Sequence, residues 1–349
     1  MKKIPYRTAI AMQPGVLEAN RTQLVAAAGE LRAQRGEAAV VAIVGIGASY
    51  YTAAAAVREF WKVGVRAFAV DVGQLWEDDF EIADIYIAIS ASGESLETVA
   101  AVERLRKRKQ GLVVSVTAEL DGTLTTMVDL AVACAQLEDS VPATTSYTGG
   151  LQALAFLISA WESEAATARL EAQWAAVPAV LETLLRTSVD AVAEVAEQLA
   201  GVSSIDFIGT PDAAPGAAEG ALLYREAPRL PGAWFESRAY LHGPMESLEP
   251  GRGIVIVGDE SDDGIAVIVR QVRQIGCVVA HLTTTPSEQQ AGSPVTAVTV
   301  PSGEGRLVRA IYEMALLQLL SARSAEQLDL TSGKFRYPQP QVKLKQAIV

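Results

Sequence analysis

The sequence predicts two doubly wound α/β domains in tandem. Short apolar runs rich in β-branched residues, typical of strands buried on both faces of a parallel sheet, alternate with stretches of helical periodicity. The alternation begins at residues 40–44 and again at residues 205–208, and a glycine turn follows each run, at Gly45 and Gly209. Since strand, turn and helix recur in one order, we expect two copies of one fold joined through helices.

The elements of the first copy follow in order along the chain. A helix is predicted over residues 14–35, where apolar side chains have helical spacing up to Gly36. After the strand at residues 40–44, an alanine-rich helix is expected over residues 51–61. The remaining predicted elements of this copy are strands at residues 67–70, 85–89, 112–117 and 130–133 and a helix over residues 96–107. This order predicts a parallel sheet covered by helices.

Two helical stretches, residues 147–166 and 170–199, separate the copies. The predicted elements of the second copy are a strand at residues 205–208, a helix over 214–224, strands at 253–257, 278–282 and 297–300, and a helix over 307–322. The predicted domains are residues 1–168, with an N-terminal helix and the first copy, and residues 169–327, with a linker helix and the second copy. Residues 328–349 fit neither copy and are expected to form an extended C-terminal arm.

The composition excludes several classes of protein. With 349 residues, half of them apolar, each copy can bury a core of ordinary size. The net charge of −12 argues against nucleic acid and membrane partners, because an anionic surface requires a basic footprint. Cys134 and Cys277 both lie in apolar runs, so neither disulfides nor a thiolate metal site are expected. Since no run of about 18 apolar residues occurs, the expected location is the cytoplasm.

The stretch most informative about function is the turn at residues 90–95, Ser-Ala-Ser-Gly-Glu-Ser, between a predicted strand and a predicted helix. Such a turn presents unpaired backbone N–H groups, the positive end of a helix dipole and serine hydroxyls to one point. An ordinary helix cap needs one hydroxyl, whereas this turn has three, at the end of a parallel strand, where open α/β sheets bind ligands. The turn therefore predicts a pocket for a phosphate monoester.

Two further stretches are candidates for ligand contact. Thr144 belongs to a second hydroxyl cluster before a helix; alone this is a cap or loop, but beside the first turn it could close over the same phosphate. The Gly45-x-Gly47 pair with Asp71 has the outline of a dinucleotide site. Because Tyr50 stands where the third glycine is required, a plain tight turn is favoured.

A third set of residues in the second copy suits proton transfer. Glu219 and Glu226 are seven residues apart on a predicted helix, hence on one face, and the helix is apolar around Glu226 and ends there. Of the two histidines, His281 lies in an apolar run and is expected to be structural, whereas His242 lies in a His-Gly-Pro turn, where a ring can face a ligand. Glu226 and His242 are the candidate proton carriers.

Taken in order, five segments resemble the double sugar isomerase (SIS) domain family, especially the isomerase half of glutamine–fructose-6-phosphate amidotransferases. The sixteen-residue step from Glu226 to His242 agrees with the family as well. The resemblance covers nearly the whole chain, and its segments are residues 47–50, 90–95, 141–145, 219–226 and 242–244.

The resemblance implies two flavodoxin-like SIS domains and a site for a hexose 6-phosphate or its amino or amine adduct. It implies phosphate contacts from five hydroxyl side chains, those of Ser49, Ser90, Ser92, Ser95 and Thr144. Further substrate contacts are expected from Glu219 and Val141. A homodimer with shared active sites is implied. No metal or redox cofactor is expected.

The resemblance also assigns chemical roles. Glu226 would carry the proton between C1 and C2 of the sugar, and His242, in this family often supplied by the partner subunit, would open the ring. The family places a lysine five residues after a proline near the C-terminus, where it can form an imine with the open-chain sugar. Lys343 has this spacing from Pro338, and Lys345 is the shifted alternative.

The chain departs from the family pattern in several places. With no glutaminase domain and no cysteine near the start of the chain, glutamine is not expected to be the nitrogen donor, which removes the amidotransferase function. Ala48 and Ala91 replace polar residues often found in the phosphate loops, Ala239 stands where many members keep a glutamate, and Thr145 stands where lysine is frequent. Phosphate recognition stays expected, and the sugar substituent stays open.

The expected function is aldose/ketose isomerisation of a phosphosugar coupled to deamination, as in glucosamine-6-phosphate deaminases of the SIS type. The alternatives are a phosphosugar isomerase without deamination, a fructosamine-6-phosphate deglycase and a non-catalytic sugar-phosphate sensor. The sensor form is usually fused to a DNA-binding helix-turn-helix. The first forty residues offer one helix and no basic face, which disfavours a sensor.

Overall fold

The computed structural model describes residues 2–77, 81–118, 120–134, 138–286, 295–333, 335–337 and 342–344. The chain divides into two compact units. The first consists of Met1–Ile4, Met12–Pro178 and Phe335–Val349, and the second of Pro5–Ala11 and Ala179–Lys334. Each unit contains a parallel sheet with helices packed on it, so the predicted α/β class with doubly wound sheets is confirmed.

The strands alternate with helices along most of the chain. The strands are β1 (Lys2–Lys3), β2 (Val40–Gly45), β3 (Arg66–Asp71), β4 (Ile85–Ile89), β5 (Leu112–Thr117), β6 (Leu130–Ala133), β7 (Glu138–Asp139), β8 (Ile205–Gly209), β9 (Gly232–Glu236), β10 (Gly253–Val257), β11 (Val278–Thr283) and β12 (Val295–Thr299). The helices are α1 (Tyr6–Gln34), α2 (Ala48–Lys62), α3 (Val72–Glu77), α4 (Leu96–Arg108), α5 (Thr145–Ile158), α6 (Glu164–Trp174), α7 (Val177–Thr187), α8 (Val189–Leu199), α9 (Ala214–Glu226), α10 (Ser237–Tyr240), α11 (Asp263–Ile275) and α12 (Arg306–Gln327).

The two large sheets have the same topology. The first has the order β3-β2-β4-β5-β6 and the second the order β9-β8-β10-β11-β12, and all neighbours within both are parallel. Their central strands β4 and β10 are buried along their whole length, as expected for apolar runs without polar alternation. The predicted internal duplication is therefore confirmed at the level of strand order.

The first strand of each copy ends in a glycine, Gly45 or Gly209, for the same structural reason. A Cβ at Gly45 would lie 2.5 Å from the backbone carbon of Ser49, and a Cβ at Gly209 would lie 2.5 Å from the backbone nitrogen of Ala214. In both copies the following helix folds back closely over the strand end, which only glycine permits. The strand–glycine–helix pattern in the sequence thus reflects the close approach of the helix backbone to the end of the strand.

Several local features differ from the sequence-based expectations. The helical stretch predicted at residues 147–166 is interrupted between α5, which ends at Ile158, and α6, which begins at Glu164. The helical stretch predicted at residues 170–199 is split among α6, α7 and α8. Pro178 lies in the first turn of α7, where its missing N–H is tolerated, and a proline there ends the preceding helix. The helix predicted at residues 14–35 begins earlier, at Tyr6, and contains Pro14. The edge strand β9 was not predicted, because Pro231 and Gly232 lie at its start and none of its side chains is fully buried.

Helices of the described residues bury their apolar faces on the sheets. In the first unit, Val99, Val102 and Leu105 of α4 pack in one cluster with Val44 and Tyr86 of the sheet. None of the described helices combines the length and the apolar character needed to cross a lipid bilayer.

Candidate functional site

In the first unit, the turns after β2 and β4 lie side by side at the carboxyl edge of the sheet. The two strands are neighbours, but the chain continues from β2 to β3 on one side and from β4 to β5 on the other. This reversal is the switch point of an open parallel sheet, the place where such sheets bind ligands. Ser49 follows β2 and Ser90 follows β4, so the structure brings both predicted phosphate-binding residues to this point.

The three serines of the turn after β4 differ in their hydrogen bonds. Ser95 is the N-cap of α4, and its Oγ accepts hydrogen bonds from Thr98 Oγ1 (3.1 Å) and from the Thr98 N–H (3.5 Å). Ser92 Oγ accepts a hydrogen bond from the Glu94 N–H (3.3 Å). Ser90 is 4% exposed, and its hydroxyl has no hydrogen-bond partner within the described part of the chain.

Several donors at this edge remain available for a ligand. Among the described residues, the hydroxyls of Ser49 and Ser90 and the N–H groups of Ala91 and Ser92 donate to no protein acceptor. The N-terminus of α4, with its helix dipole, points at the same turn. Hydroxyls, backbone N–H groups and a helix N-terminus together suit an anion with several acceptor oxygens, such as a phosphate monoester.

The turn is held in shape by a neighbouring loop that the sequence reasoning missed. The buried Glu94 carboxylate accepts hydrogen bonds from the Thr123 N–H (2.8 Å) and from Thr123 Oγ1 (2.9 Å). Gly93 has a φ of +64°, and a Cβ at Gly122 would lie 3.1 Å from the Ser92 carbonyl oxygen. The backbones therefore pack directly on each other. Gly93 and Gly122 were the available signal of this packing in the sequence. They are too far apart in the chain for a local pattern to relate them.

The C-terminal arm reaches this turn. Lys343 pairs with Ser95 in an isolated antiparallel bridge. The Leu344 N–H donates to the Glu94 carbonyl (2.9 Å), and the first residue of α4 donates to the carbonyl before Lys343 (3.2 Å). The structure thus brings two predicted site residues, Ser95 and Lys343, side by side. Lys345, the alternative in the sequence, lies outside the described residues.

Thr144 lies in a different hydrogen-bond environment from the serines. It is fully buried, and its hydroxyl bonds with Ser140 Oγ (2.6 Å) and with the Pro142 carbonyl. The N-terminus of α5 that follows is occupied by the buried carboxylate of Asp139, which accepts the N–H groups of residues 144–146 at 3.1–3.3 Å. Val141 lies in the same loop. This helix N-terminus therefore already holds an anion from the chain itself.

In the second unit, Glu219 and Glu226 lie two turns apart on α9, as predicted. Glu219 is 1% exposed, and its Oε2 has no hydrogen-bond partner among the described residues. Burial, and then the nearby charge of Glu226, raise the pKa of Glu219 well above its usual range. Glu226 is the last residue of the helix and is half-buried. Burial therefore favours the neutral form of Glu219.

His242 lies in an exposed turn, as predicted. The backbone N–H of His242 donates to the Ala239 carbonyl (3.1 Å) just after the short helix α10. Gly243 follows with a φ of +134°. The other histidine, His281, is buried in β11 with its Nε2 2.7 Å from the Gly258 carbonyl oxygen. The two histidines therefore have the placement expected from the sequence: one faces solvent, and one is structural.

Comparison with known proteins identifies the first unit. Residues 37–160 match the family model of the SIS domain. This part of the chain is therefore similar to the SIS domain. The resemblance inferred from the five sequence segments is thereby confirmed, and the SIS match includes the turns of Ser49, Ser90 and Thr144.

Curated proteins similar to this chain include glutamine–fructose-6-phosphate aminotransferases (isomerizing). The chain is 28% identical over 295 residues to the glutamine–fructose-6-phosphate aminotransferase (isomerizing) of Thermococcus kodakarensis, an alignment covering 80% of this chain and 48% of that protein. The chain thus spans less than half the length of that relative.

Solved structures extend the fold comparison to nearly the whole chain. The C-terminal domain of glucosamine-fructose-6-phosphate aminotransferase from Francisella tularensis superposes with a TM-score of 0.84 at 20% identity, covering 94% of this chain and 97% of that one. Glucosamine-6-phosphate deaminase from Thermotoga maritima superposes with a TM-score of 0.69 at 18% identity, covering 95% and 98%. The chain shares its fold with both.

The sheet of the second copy has a different set of groups at its carboxyl edge. Asp259, in the turn after β10, accepts hydrogen bonds from Thr283 Oγ1 (2.7 Å), the Thr284 N–H (2.6 Å) and Arg309 Nη1 (2.8 Å). Burial by itself would raise the pKa of Asp259, but these hydrogen bonds and the charge of Arg309 lower it to about 2. The site is an ion-paired carboxylate where the first copy offers unpaired donors.

This carboxylate predicts a pH dependence of stability. The folded-state pKa of Asp259, about 2, is below the unfolded value of 3.8, so the stabilisation is present above pH 4 and is lost as the pH falls toward 2. We expect a loss of about 2 kcal/mol in the free energy of unfolding over this window. Urea unfolding between pH 2 and 5 measures it, and Asp259→Asn should flatten this part of the curve. An unchanged slope in the variant would contradict the assignment.

Proposed function

We propose that this protein binds an open-chain hexose or hexosamine 6-phosphate and isomerises it between aldose and ketose, with release of ammonia when C2 carries an amine. The observation that carries the proposal is the turn at residues 90–95, where donors without a protein acceptor among the described residues lie beside Lys343. The fold shared with a glucosamine-6-phosphate deaminase and the sequence similarity to an isomerizing aminotransferase support it.

The phosphate is assigned to the first unit. Ser49 and Ser90 hydroxyls, the N–H groups of Ala91 and Ser92 and the N-terminus of α4 would donate to its oxygens. Lys343, whose backbone pairs with that of Ser95, would add a positive charge to this region. Binding the phosphate would fix one end of the flexible open-chain sugar, so that the later proton transfer takes place between groups that are already positioned. Such positioning contributes a large part of the rate enhancement of an isomerase.

Proton transfer is assigned to Glu226. Its carboxylate would remove the proton from C2 of the aldose and return it to C1, while the C1 oxygen gains a proton and the C2 hydroxyl, or the C2 amine, loses one. Glu219, two turns away on α9, is a buried acid whose pKa is raised by burial and then by Glu226. A base must be ionised to accept a proton, and a neutral Glu219 leaves the charge on Glu226.

Deamination then follows from the position of the nitrogen. When C2 carries an amine, returning the proton to C1 leaves a C2 imine; water adds to C2 and ammonia departs, so that a ketose 6-phosphate results. His242, exposed in its turn, is assigned to ring opening, because imidazole can donate and accept protons near neutrality. Lys343 is assigned to imine formation with the sugar carbonyl: the amine nitrogen adds to the carbonyl carbon and water leaves.

A substrate panel tests the proposal. The protein is incubated with hexose, hexosamine and fructosamine 6-phosphates while ammonia release and ketose formation are followed together. Ketose with equimolar ammonia from a hexosamine 6-phosphate is the expected result. Ketose without ammonia from a hexose phosphate would reduce the proposal to an isomerase, and release of a free amine from fructosamine 6-phosphate would replace it with a deglycase. Binding without turnover of any substrate would indicate a sensor.

The phosphate assignment gives a separate prediction. Ser90→Ala with Ser92→Ala should weaken binding of a hexose 6-phosphate by about 10- to 100-fold, because each lost hydrogen bond to a charged group contributes about 1.5–3 kcal/mol and part is recovered by water. Binding of the unphosphorylated sugar should change little. Isothermal titration calorimetry with both ligands measures the difference.

The control for this prediction lies in the corresponding turn of the second copy. Ser261→Ala removes an exposed serine hydroxyl there and should leave both affinities unchanged. Equal losses for the phosphorylated and unphosphorylated sugar in the double variant would show that the turn does not recognise phosphate.

A further inference from the structure

The turn after β10 is the counterpart of the turn after β4. The two strands hold the same place in their sheets, and the residue after each donates its N–H to the same point of the next strand. Ser90 donates to the Val116 carbonyl (3.1 Å), and Gly258 donates to the Leu282 carbonyl (3.0 Å). The next residue is alanine in the first copy and Asp259 in the second. The duplicated fold therefore carries a carboxylate in one of its two equivalent turns.

Four donors surround this carboxylate. One oxygen accepts from Thr283 Oγ1 (2.7 Å) and from the Thr284 N–H (2.6 Å), and the other accepts from Thr284 Oγ1 (3.0 Å) and from Arg309 Nη1 (2.8 Å). The Asp259 side chain is 15% exposed. A guanidinium, a backbone N–H and two hydroxyls that converge on one point are the donors with which proteins bind a phosphate ion.

The charges around Asp259 balance only because the carboxylate is present. Arg309 Nε also donates to Glu313 Oε1 (2.8 Å), and Arg306 Nη2 donates to Glu313 Oε2 (2.9 Å). Glu313 is 1% exposed, so this network is shielded from water. Two guanidinium groups thus face two carboxylates. Removing the charge of Asp259 leaves a surplus positive charge and four donors with no acceptor.

The side of the turn toward β8 is closed. Gly258 has a φ of +139°, and a Cβ at this position would overlap the methyl group of Thr210, which follows β8. In the first copy the corresponding position is the buried Ser90, whose hydroxyl has no partner among the described residues. The second copy therefore fills from its own side chains the edge that the first copy leaves available.

We propose that the Asp259 carboxylate is the built-in anion of the second copy, held by donors that bind a free phosphate ion once the carboxylate is removed. The donor set of the second copy is an anion site occupied by the chain itself.

The test uses inorganic phosphate and the full chain with its first site weakened. In a Ser90→Ala/Ser92→Ala parent, the thermal midpoint is measured in 10 mM phosphate and in sodium chloride of equal ionic strength. Adding Asp259→Ala should give a phosphate-dependent increase about 3 °C larger than in the parent. Adding Asp259→Asn should give no such increase, because the amide fills the site without restoring the charge. Adding Asp262→Ala, which removes a carboxylate from the same turn away from Arg309, is the charge-matched control.

Each outcome bears on the proposal. A larger phosphate shift confined to Asp259→Ala supports it, and an equal shift in all variants overturns it. If Asp259→Ala unfolds in chloride, recovery of its native circular dichroism in phosphate supports the proposal, and failure to recover while Asp259→Asn stays folded overturns it. Because the readout is a difference from the parent, it does not depend on whether the first copy binds a sugar phosphate.

Discussion

Glu226→Gln is expected to lower the turnover number by about 10³-fold while leaving the affinity for the sugar phosphate within about threefold of the natural protein. The amide keeps the shape and hydrogen-bonding capacity of the side chain at the end of α9 but cannot accept a proton. Exchange of the C2 proton with deuterated water, followed by NMR on the substrate that the panel identifies, measures the step directly. Exchange should stop along with turnover.

The control is an exposed glutamate of the same unit. Glu182→Gln on α7 makes the same change in charge and should keep full turnover and exchange. Full turnover in Glu226→Gln would refute its assignment as the proton carrier. Loss of both affinity and turnover would assign Glu226 to binding instead, and the base would have to be sought among the other titratable groups of the second unit.

Gly149→Ala is expected to lower the free energy of unfolding by at least about 3 kcal/mol, and soluble protein should fall accordingly. A Cβ at Gly149 would overlap the carbonyl oxygen of Cys134 and lie 2.8 Å from its carbonyl carbon. That carbonyl cannot move away easily, because it accepts a hydrogen bond from the buried Asn20 side chain (2.9 Å). Since α5 is buried along its whole length, a shift of the helix would disturb the core of the first unit.

Two glycines provide matched controls. A Cβ at Gly150, the next residue of α5, would lie 3.1 Å from a methyl group of Thr52, a side-chain contact that can adjust, so Gly150→Ala should cost no more than about 1 kcal/mol. Gly29 lies inside α1 with nothing within 4 Å, so Gly29→Ala should stabilise by about 0.5–1 kcal/mol through helix propensity. Urea unfolding of the three variants measures the differences. Equal stability of Gly149→Ala and Gly150→Ala would contradict the close approach to Cys134.

The parts of the site that could be predicted are those encoded in short stretches of the chain. The turn at residues 90–95 could be recognised from its three serines after an apolar run. The placement of Glu219 and Glu226 on one face of a helix follows from their seven-residue spacing. Lys343 was indicated by its distance in sequence from a proline, through a family resemblance. Its position beside Ser95 requires the C-terminal arm to return to the first unit. No local sequence pattern predicts this return.

The parts that could not be predicted depend on residues far apart in the chain. Glu94 reaches Thr123 across a separation of 29 residues, and the contact shapes the phosphate turn. Asp139 occupies the N-terminus of α5, so a hydroxyl cluster that looks like the other in the sequence has an anion of its own. Both are hydrogen bonds between buried polar groups, and which partner satisfies such a group is settled only when the chain has folded.

The sequence by itself determined the fold class and the duplication and singled out the turn at residues 90–95, because periodicity, glycine turns and helix starts are local properties of the chain. The tertiary structure decided which turns become neighbours. Ser49 and Ser90 meet only because β2 and β4 pair at the switch point of the first sheet. It also decided that the equivalent turn of the second copy is filled, since the guanidinium of Arg309 reaches Asp259 from α12, 50 residues further along. Strand order and long-range ion pairs are properties of the folded chain, and they distinguish two copies whose strand–turn–helix patterns look alike.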